Sequence, residues 1–215
     1  MRRRQDSLGW VRQTGAKTYS DREGKALSSI SRHTVVHVRR DAGDWVELDS
    51  GRWMKRIDVS RVLIEGRPGS VRSDERWIDV NLDEQVVVAY EGDTPVYATL
   101  TSSGKQKEDF ETPKGEFRIW AKLVFADMDN TDVEEDIEKA YSLRKVPWVL
   151  FFKDAIGFHT AFWHNDFGRR RSHGCLNLSP IDARYIFNFS RPVLPDGWKA
   201  ILPGTGDRST LVRVH

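Results

Sequence analysis

The chain has 215 residues, 39% hydrophobic and 31% charged, an ordinary globular composition well clear of the disordered range. Its 34 basic and 32 acidic residues leave a net charge of +2, so no nucleic-acid partner is expected from charge. No run of eighteen apolar residues exists, hence no transmembrane segment is expected, and the basic opening Met1–Asp6 has no apolar stretch of an export signal behind it.

From Trp10 to about Leu63 the pattern is short and β-like. Thr34–Val38 is rich in β-branched residues, and Asp41-Ala42-Gly43-Asp44 supplies turn chemistry after it. Trp45–Leu48 alternates, Asp49-Ser50-Gly51 turns, and Trp53–Ile57 resumes. Strands this short between turns this tight predict a small antiparallel barrel. The order turn-Asp-Trp-x-x-Leu, turn-Gly-x-Trp resembles bacterial SH3-like domains, which often accompany cell-wall enzymes. Eight tryptophans fit such aromatic-cored β-domains. Glu65–Ser70 clusters Gly, Pro and Ser and marks a linker. The division predicted is an SH3-like β unit over 8–65, a linker over 66–75 and a second domain over 76–215.

The second domain opens with the alternation Arg76–Leu82, turns at Asp83-Glu84, and continues through Gln85–Tyr90 as a strand buried on both faces. Pro95–Leu100 follows as the third strand of a meander. Thr101–Lys105 reads as a polar loop, and Thr112–Ile119 returns to strand through a Pro/Gly turn. Asp127–Arg144 changes character: Asp129–Asp132 can cap a helix and Val133–Ile137 suits an acidic first turn. A helical or irregular excursion is predicted there, covering a site. Val146–Phe152 and Phe158-His159-Thr160 are apolar strands. Ser179 is an N-cap with Pro180 at the first helical position, and Ser209–Val214 is a last strand.

The chemistry concentrates in Gly168–Asn177, which holds the only cysteine of the chain. Cys175 cannot form an internal disulfide, and it sits in Ser-His-Gly-Cys beside Arg169, Arg170 and Arg171, where a thiolate would be stabilised. A cysteine nucleophile needs a base and oxyanion donors. His159, at the end of a predicted buried strand, is the expected base; His173 and His164 are further candidates. Backbone N–H groups around Gly174 and Cys175 are expected to lead into a helix as an oxyanion hole. Zinc on His159, His164, His173 and Cys175 is disfavoured, because no C-x-x-C or H-E-x-x-H spacing occurs. No metal or organic cofactor is expected.

His159, Gly168 and Ser172-His173-Gly174-Cys175-Leu176-Asn177 resemble the signature of the L,D-transpeptidase (YkuD-type) family. Upstream the resemblance includes Ile78–Leu82, Gln85, Gly104 and Thr112–Phe117. Thr160 stands where many members have glycine, and Asn177 where many have arginine, although asparagine is the rule in another branch. The resemblance implies a mainly β fold, a β-sandwich-like catalytic domain with a few short helices following the SH3-like barrel. It implies a cysteine acyl-enzyme formed at the diamino acid–D-alanine bond of peptidoglycan stem peptides, resolved by an amine as a 3–3 cross-link or by attachment of a protein. In that picture Cys175 is the nucleophile and His159 the acid/base, oriented by a carbonyl near Thr160. Ser172, His173 and Gly174 shape the pocket and oxyanion hole, while Arg169, Arg171, Asn177 and Trp163 contact substrate. Carbapenem-type inhibitors are expected to acylate Cys175. Family members work outside the cytoplasmic membrane, so an extracytoplasmic location is expected. The alternatives are hydrolysis of the same stems by a carboxypeptidase or endopeptidase, and a non-catalytic wall-binding protein. A papain-like or NlpC-type peptidase places its cysteine before its histidine, the opposite of Cys175 and His159.

Overall fold

The computed structural model describes residues 7–107, 109–129, 142–204 and 206–215. The fold is mainly β, with three sheets and one α-helix among the described residues. The N-terminal sheet takes β1 (Ser7–Val11), β2 (Lys17–Tyr19), β3 (Ala26–Ser29), β4 (Val35–Asp41), β5 (Trp45–Leu48), β6 (Trp53–Lys55) and β7 (Val59–Arg61) in the order β3-β2-β6-β5-β4-β1-β7. Alternation places Val11, Val36, Val38, Val46, Leu48, Met54 and Val59 together as its core. Ile57, read as the end of a strand, lies instead in a 3-10 turn at Arg56–Asp58.

The middle sheet contains β8 (Arg76–Asn81), β9 (Val86–Glu91), β10 (Thr94–Leu100), β11 (Gly115–Arg118) and β17 (Leu211–Val214), ordered β10-β9-β8-β17-β11. The first three form the expected meander, while β17 pairs parallel to β8. The third sheet holds β12 (Ala121–Asp129), β13 (Ser142–Lys153), β14 (Ile156–Thr160), β15 (Leu176–Leu178) and β16 (Ala200–Ile201), ordered β15-β14-β13-β12-β16. Helix α1 (Pro180–Phe189) is capped by Ser179, whose Oγ accepts from Asp182 N–H at 3.3 Å.

Side-chain alternation explains why the middle sheet reads as continuously apolar. Ile78, Val80, Val87 and Ala89 face the third sheet and α1, meeting Leu150, Phe158, Leu176, Ile186 and Phe187. Trp77, Val86, Val88 and Tyr90 face the other way, where Leu8, Trp10, Val62, Val71 and Phe167 cover them. The N-terminal sheet thus supplies part of the outer layer. It is also hydrogen-bonded there: Arg12 Nη1 donates to Asp83 O at 2.9 Å, and buried Glu84 accepts from Arg56, from Arg61 Nη2 at 3.4 Å and from Arg61 N–H at 2.9 Å. No strand forms from Val62 to Glu75, yet this stretch is pinned by buried Val62 and Val71 and by Arg213 Nη1, which donates to Gly66 O at 3.0 Å.

One expectation is corrected here. Asp127–Asp129 and Ser142–Arg144 are not an excursion from the sheet but the ends of β12 and β13, which pair from Ala121↔Phe151 to Asp129↔Ser142. The alternating exposure of Phe125, Asp127 and Asp129 is a strand's period of two rather than a helix's. The proposed cap over Asn130–Asp132 and the acidic run Val133–Ile137 lie outside the described residues.

Lys122 is fully buried in β12. Its Nζ donates to Ser190 O at 2.9 Å, Ser190 Oγ at 3.2 Å and Pro192 O at 3.1 Å, and lies 4.6 Å from the Phe187 ring centroid. An ammonium here faces the negative end of the α1 dipole. Burial, with a smaller contribution from Arg191, lowers its pKa from 10.5 to about 8. Between those values the unfolded chain binds more protons than the folded one, so stability rises with pH across the window. The gain is about 3 kcal/mol at ~1.4 kcal/mol per pH unit. Urea unfolding at pH 8 and pH 10.5 checks this: relative to Lys122→Met, the native chain is expected to gain stability at the higher pH, and parallel behaviour of the two excludes it.

Candidate active site

Strands β14 and β15 run parallel with Phe158↔Leu176, His159↔Asn177 and Thr160↔Leu178 in register. In a parallel pair, matched residues project to the same face, so His159 and Asn177 share one side. Cys175, two positions before Asn177 where the chain enters β15, emerges on that side as well. All three line a cleft of about 320 Å³, together with Ser172, His173, Trp163, Arg171, Lys105, Met128 and Leu143. Gly157 makes the close strand approach possible, since a Cβ there would lie 2.3 Å from Leu150 O.

His159 is buried, and its Nδ1–H donates to Thr160 O at 2.9 Å. That bond fixes the tautomer and leaves Nε2 as the basic atom. Burial lowers the imidazole pKa to about 4, with nearby His164 adding to the effect and the Thr160 carbonyl opposing it. The ring stacks on Trp163 with centroids 5.8 Å apart. Burial also pushes the Cys175 thiol up, opposed by the Gly157 amide, and Sγ donates to Ala155 O at 3.7 Å. Both shifts favour the neutral thiol–imidazole pair over thiolate and imidazolium.

The three arginines expected beside the thiol are placed apart from one another. Arg169 bonds Arg12 O at 3.1 Å and Gln13 Oε1 at 2.6 Å, in the loop that follows β1. Arg170 lies 3.6 Å from Asp83. Only Arg171 reaches the cleft, and its Nη1 is held 2.6 Å from Asp166 Oδ2. Of the expected substrate contacts, Arg171, Asn177 and Trp163 come together in the cleft and Arg169 does not.

The turn before Cys175 is held from several sides. Ser172 Oγ donates to Cys175 O at 2.5 Å and accepts Gly174 N–H at 3.1 Å. Thr112 Oγ1 accepts Gly104 N–H at 2.9 Å and donates to Gly174 O at 2.7 Å. Arg171 and Ser172 N–H both reach Ser103 O, at 2.8 and 3.0 Å. Gly104 is required, because a Cβ would fall 1.9 Å from Phe110 O. Gly174 adopts φ +121°, and Cys175 runs on into β15 rather than into a helix, which starts only at Pro180. With Gly174 N–H given to Ser172, the donors expected around the cysteine differ from a helix-start oxyanion hole. His173 is an exposed ring, edge-on to Phe110 at 4.3 Å.

His164, weighed as a base, is turned to another task. Its Nδ1 accepts Asp166 N–H at 3.0 Å, and its Nε2 lies 2.9 Å from the Asn177 amide. A neutral imidazole accepting at Nδ1 carries its proton on Nε2, so the amide must present oxygen to it. Burial lowers the His164 pKa, with Arg171 adding, which favours the neutral ring. Lys105, which follows the glycine turn, lines the cleft without having been expected, whereas Met128 and Leu143 bring the Asp127–Arg144 segment to it, as strand ends rather than as a helical or irregular cover. Among the described residues no group of three or more His, Cys, Asp or Glu side chains could hold a metal ion.

Residues 75–212 match the YkuD L,D-transpeptidase catalytic domain. A putative L,D-transpeptidase of Bacillus subtilis strain 168, YciB, is 27% identical over 176 residues, covering 75% of this chain and 86% of the relative. The L,D-transpeptidase LdtMt1, solved with imipenem, superposes with a TM-score of 0.54 at 17% identity, over 84% of this chain and 90% of that one. An L,D-transpeptidase mutant of Enterococcus faecium gives 0.48 at 23% identity over 65% of this chain, which spans 49% of that protein, about half its length. No helix among the described residues is long and apolar enough to cross a membrane. With a family match over more than half its length, the chain belongs to the YkuD L,D-transpeptidase catalytic-domain family.

Proposed function

We propose that this chain is a cysteine-dependent peptidoglycan L,D-transpeptidase acting outside the cytoplasmic membrane. The observation that carries the reading is the fixed tautomer of His159, which leaves Nε2 as its basic atom in a residue that lines the same cleft as Cys175. Cys175 Sγ attacks the carbonyl between the diamino acid and D-alanine of a tetrapeptide stem while His159 Nε2 takes the thiol proton. The C–N bond then breaks, the same proton passes to the departing D-alanine nitrogen, and a thioester remains. An amine of a second stem attacks the thioester and gives a proton to His159; the C–S bond breaks, the proton returns from His159 to Cys175 Sγ, and the new amide is the cross-link. Neutral partners suit this order, because charge separates only as the thiol attacks. Arg171 and Lys105 supply positive charge for a stem carboxylate. In this reading the chain divides into an SH3-like unit over 8–65 that binds the wall, a strap over 66–75 and a catalytic unit over 76–215.

Incubation with purified tetrapeptide muropeptides tests the assignment. New 3–3 dimers with release of D-alanine are expected, whereas tripeptide monomers alone would make the protein a carboxypeptidase. An imipenem adduct on the intact chain, read as a mass increase, should vanish in Cys175→Ala; an adduct surviving that change removes Cys175 as the nucleophile.

The acylation rate carries a second signature. With the imidazole pKa at about 4, the neutral base persists through mildly acidic solution and is lost as pH falls through that value. The imipenem acylation rate is therefore expected to hold from pH 7 to about pH 5 and to drop below it. A midpoint near 6.5 would show an ordinary histidine and contradict the buried-base arrangement.

A further inference from the structure

The N-terminal sheet reaches the cleft through one carboxylate. Arg32, in the turn between β3 and β4, donates Nη1 to Asp166 Oδ1 and Nη2 to Phe167 O, each at 3.1 Å. Its neighbour His33, at φ 64°, places Nε2 3.0 Å from the same Phe167 carbonyl. Asp166 gives its other oxygen to Arg171 of the cleft wall at 2.6 Å. Its backbone N–H holds His164 Nδ1, and His164 Nε2 meets the Asn177 amide of the cleft floor. Burial works to raise the Asp166 carboxyl, but Arg32 and Arg171 outweigh it and keep it below the usual carboxylate range.

We infer that Arg32 is a positioning residue for the cleft, acting through Asp166 on Arg171 and Asn177. The inference rests on the cleft being the acylation site. A carboxylate gripped at both oxygens by two guanidiniums has one orientation, and the planar fork of each arginine transmits that orientation to its partner. Without Arg32, Asp166 is free to turn about its side-chain bonds, and the Arg171 head turns with it. The segment carrying Asp166 then loses a tie on its outer side, while Ser102 Oγ, donating to Asp166 O at 2.9 Å, still holds its inner side. Arg32 itself does not line the cleft, so its effect falls on how substrate is seated rather than on the bond that breaks.

The test uses the full chain and the tetrapeptide stem as substrate, with imipenem labelling as the measure of an intact thiol and base. Arg32→Ala is expected to raise KM about tenfold with kcat within about twofold. Arg32→Lys, which keeps the charge, should recover at least about threefold of that loss. Arg32→Ala added to Arg171→Ala should cost less than about twofold further, because both act through one carboxylate. An unchanged KM in Arg32→Ala, or full multiplication of the two single effects, overturns the inference. Should Arg32→Ala fail to fold, Asp166→Asn decides by the same KM criterion, since it keeps the side chain's size while removing the charge that both arginines grip. A native chain that takes no imipenem and turns over no tetrapeptide rejects the acylation reading and this inference with it, whereas normal labelling with an unmoved KM rejects the inference alone.

Discussion

The parallel pairing of β14 with β15 is the constraint on which the cleft depends. It sets His159 against Asn177, eighteen residues further along the chain, and brings Cys175, sixteen residues further along, to the same face. A parallel pair cannot be closed by a tight hairpin, so the chain must leave the sheet and return. The returning turn is caught by isolated bridges, Ser102 to Asn177 and Gly104 to Ser172, which lend it the edge of the middle sheet as a template. Geometry at the thiol is therefore determined by backbone pairing, with few long side chains involved.

That arrangement has an electrostatic consequence. Backbone pairing buries His159 and leaves Cys175 half-buried, and the loss of solvent disfavours the charged form of each. In the proposed reaction no standing thiolate is needed, because the base fixed by the Thr160 carbonyl accepts the proton during attack. The three arginines before Ser172 are then released for architecture. Two bind the loop that follows β1 and the β8–β9 turn, and the third pairs with Asp166.

Local pattern made much of this legible. The alternation of Trp77, Ile78, Val80 and the run Val86–Tyr90 announced strands, and Ser179-Pro180 announced the start of α1, because those signals act within a few residues. The Ser-His-Gly-Cys turn and His159 carried their chemistry in sequence for the same reason. What stayed hidden was set by distant partners. Thr101–Ser103 reads as a solvated loop, yet all three are buried, since Gln85, Asp166 and Asn177 satisfy their polar groups. Lys122 looks like an exposed strand lysine until Ser190 and Pro192 arrive from the far end of α1. The basic triplet looked like one patch because nothing nearby says that Arg12, Gln13, Asp83 and Asp166 will draw its members apart.

The same long-range logic bears on the N-terminal sheet. The outer face of the middle sheet carries Trp77, Val86, Val88 and Tyr90, an apolar surface that would be partly exposed to water without the N-terminal sheet. At roughly 25 cal/mol per Å² of apolar surface, leaving several such side chains uncovered would be expensive for a domain of this size. Leu8, Trp10, Val62 and Val71 cover that face from one side, and Ala161 and Phe167 cover it from within the segment that leads to Arg171. That segment is shaped on one side by the middle sheet and tied on the other to Arg32 and His33 of the N-terminal sheet. Its contacts therefore come from both sheets and not from the signature residues alone.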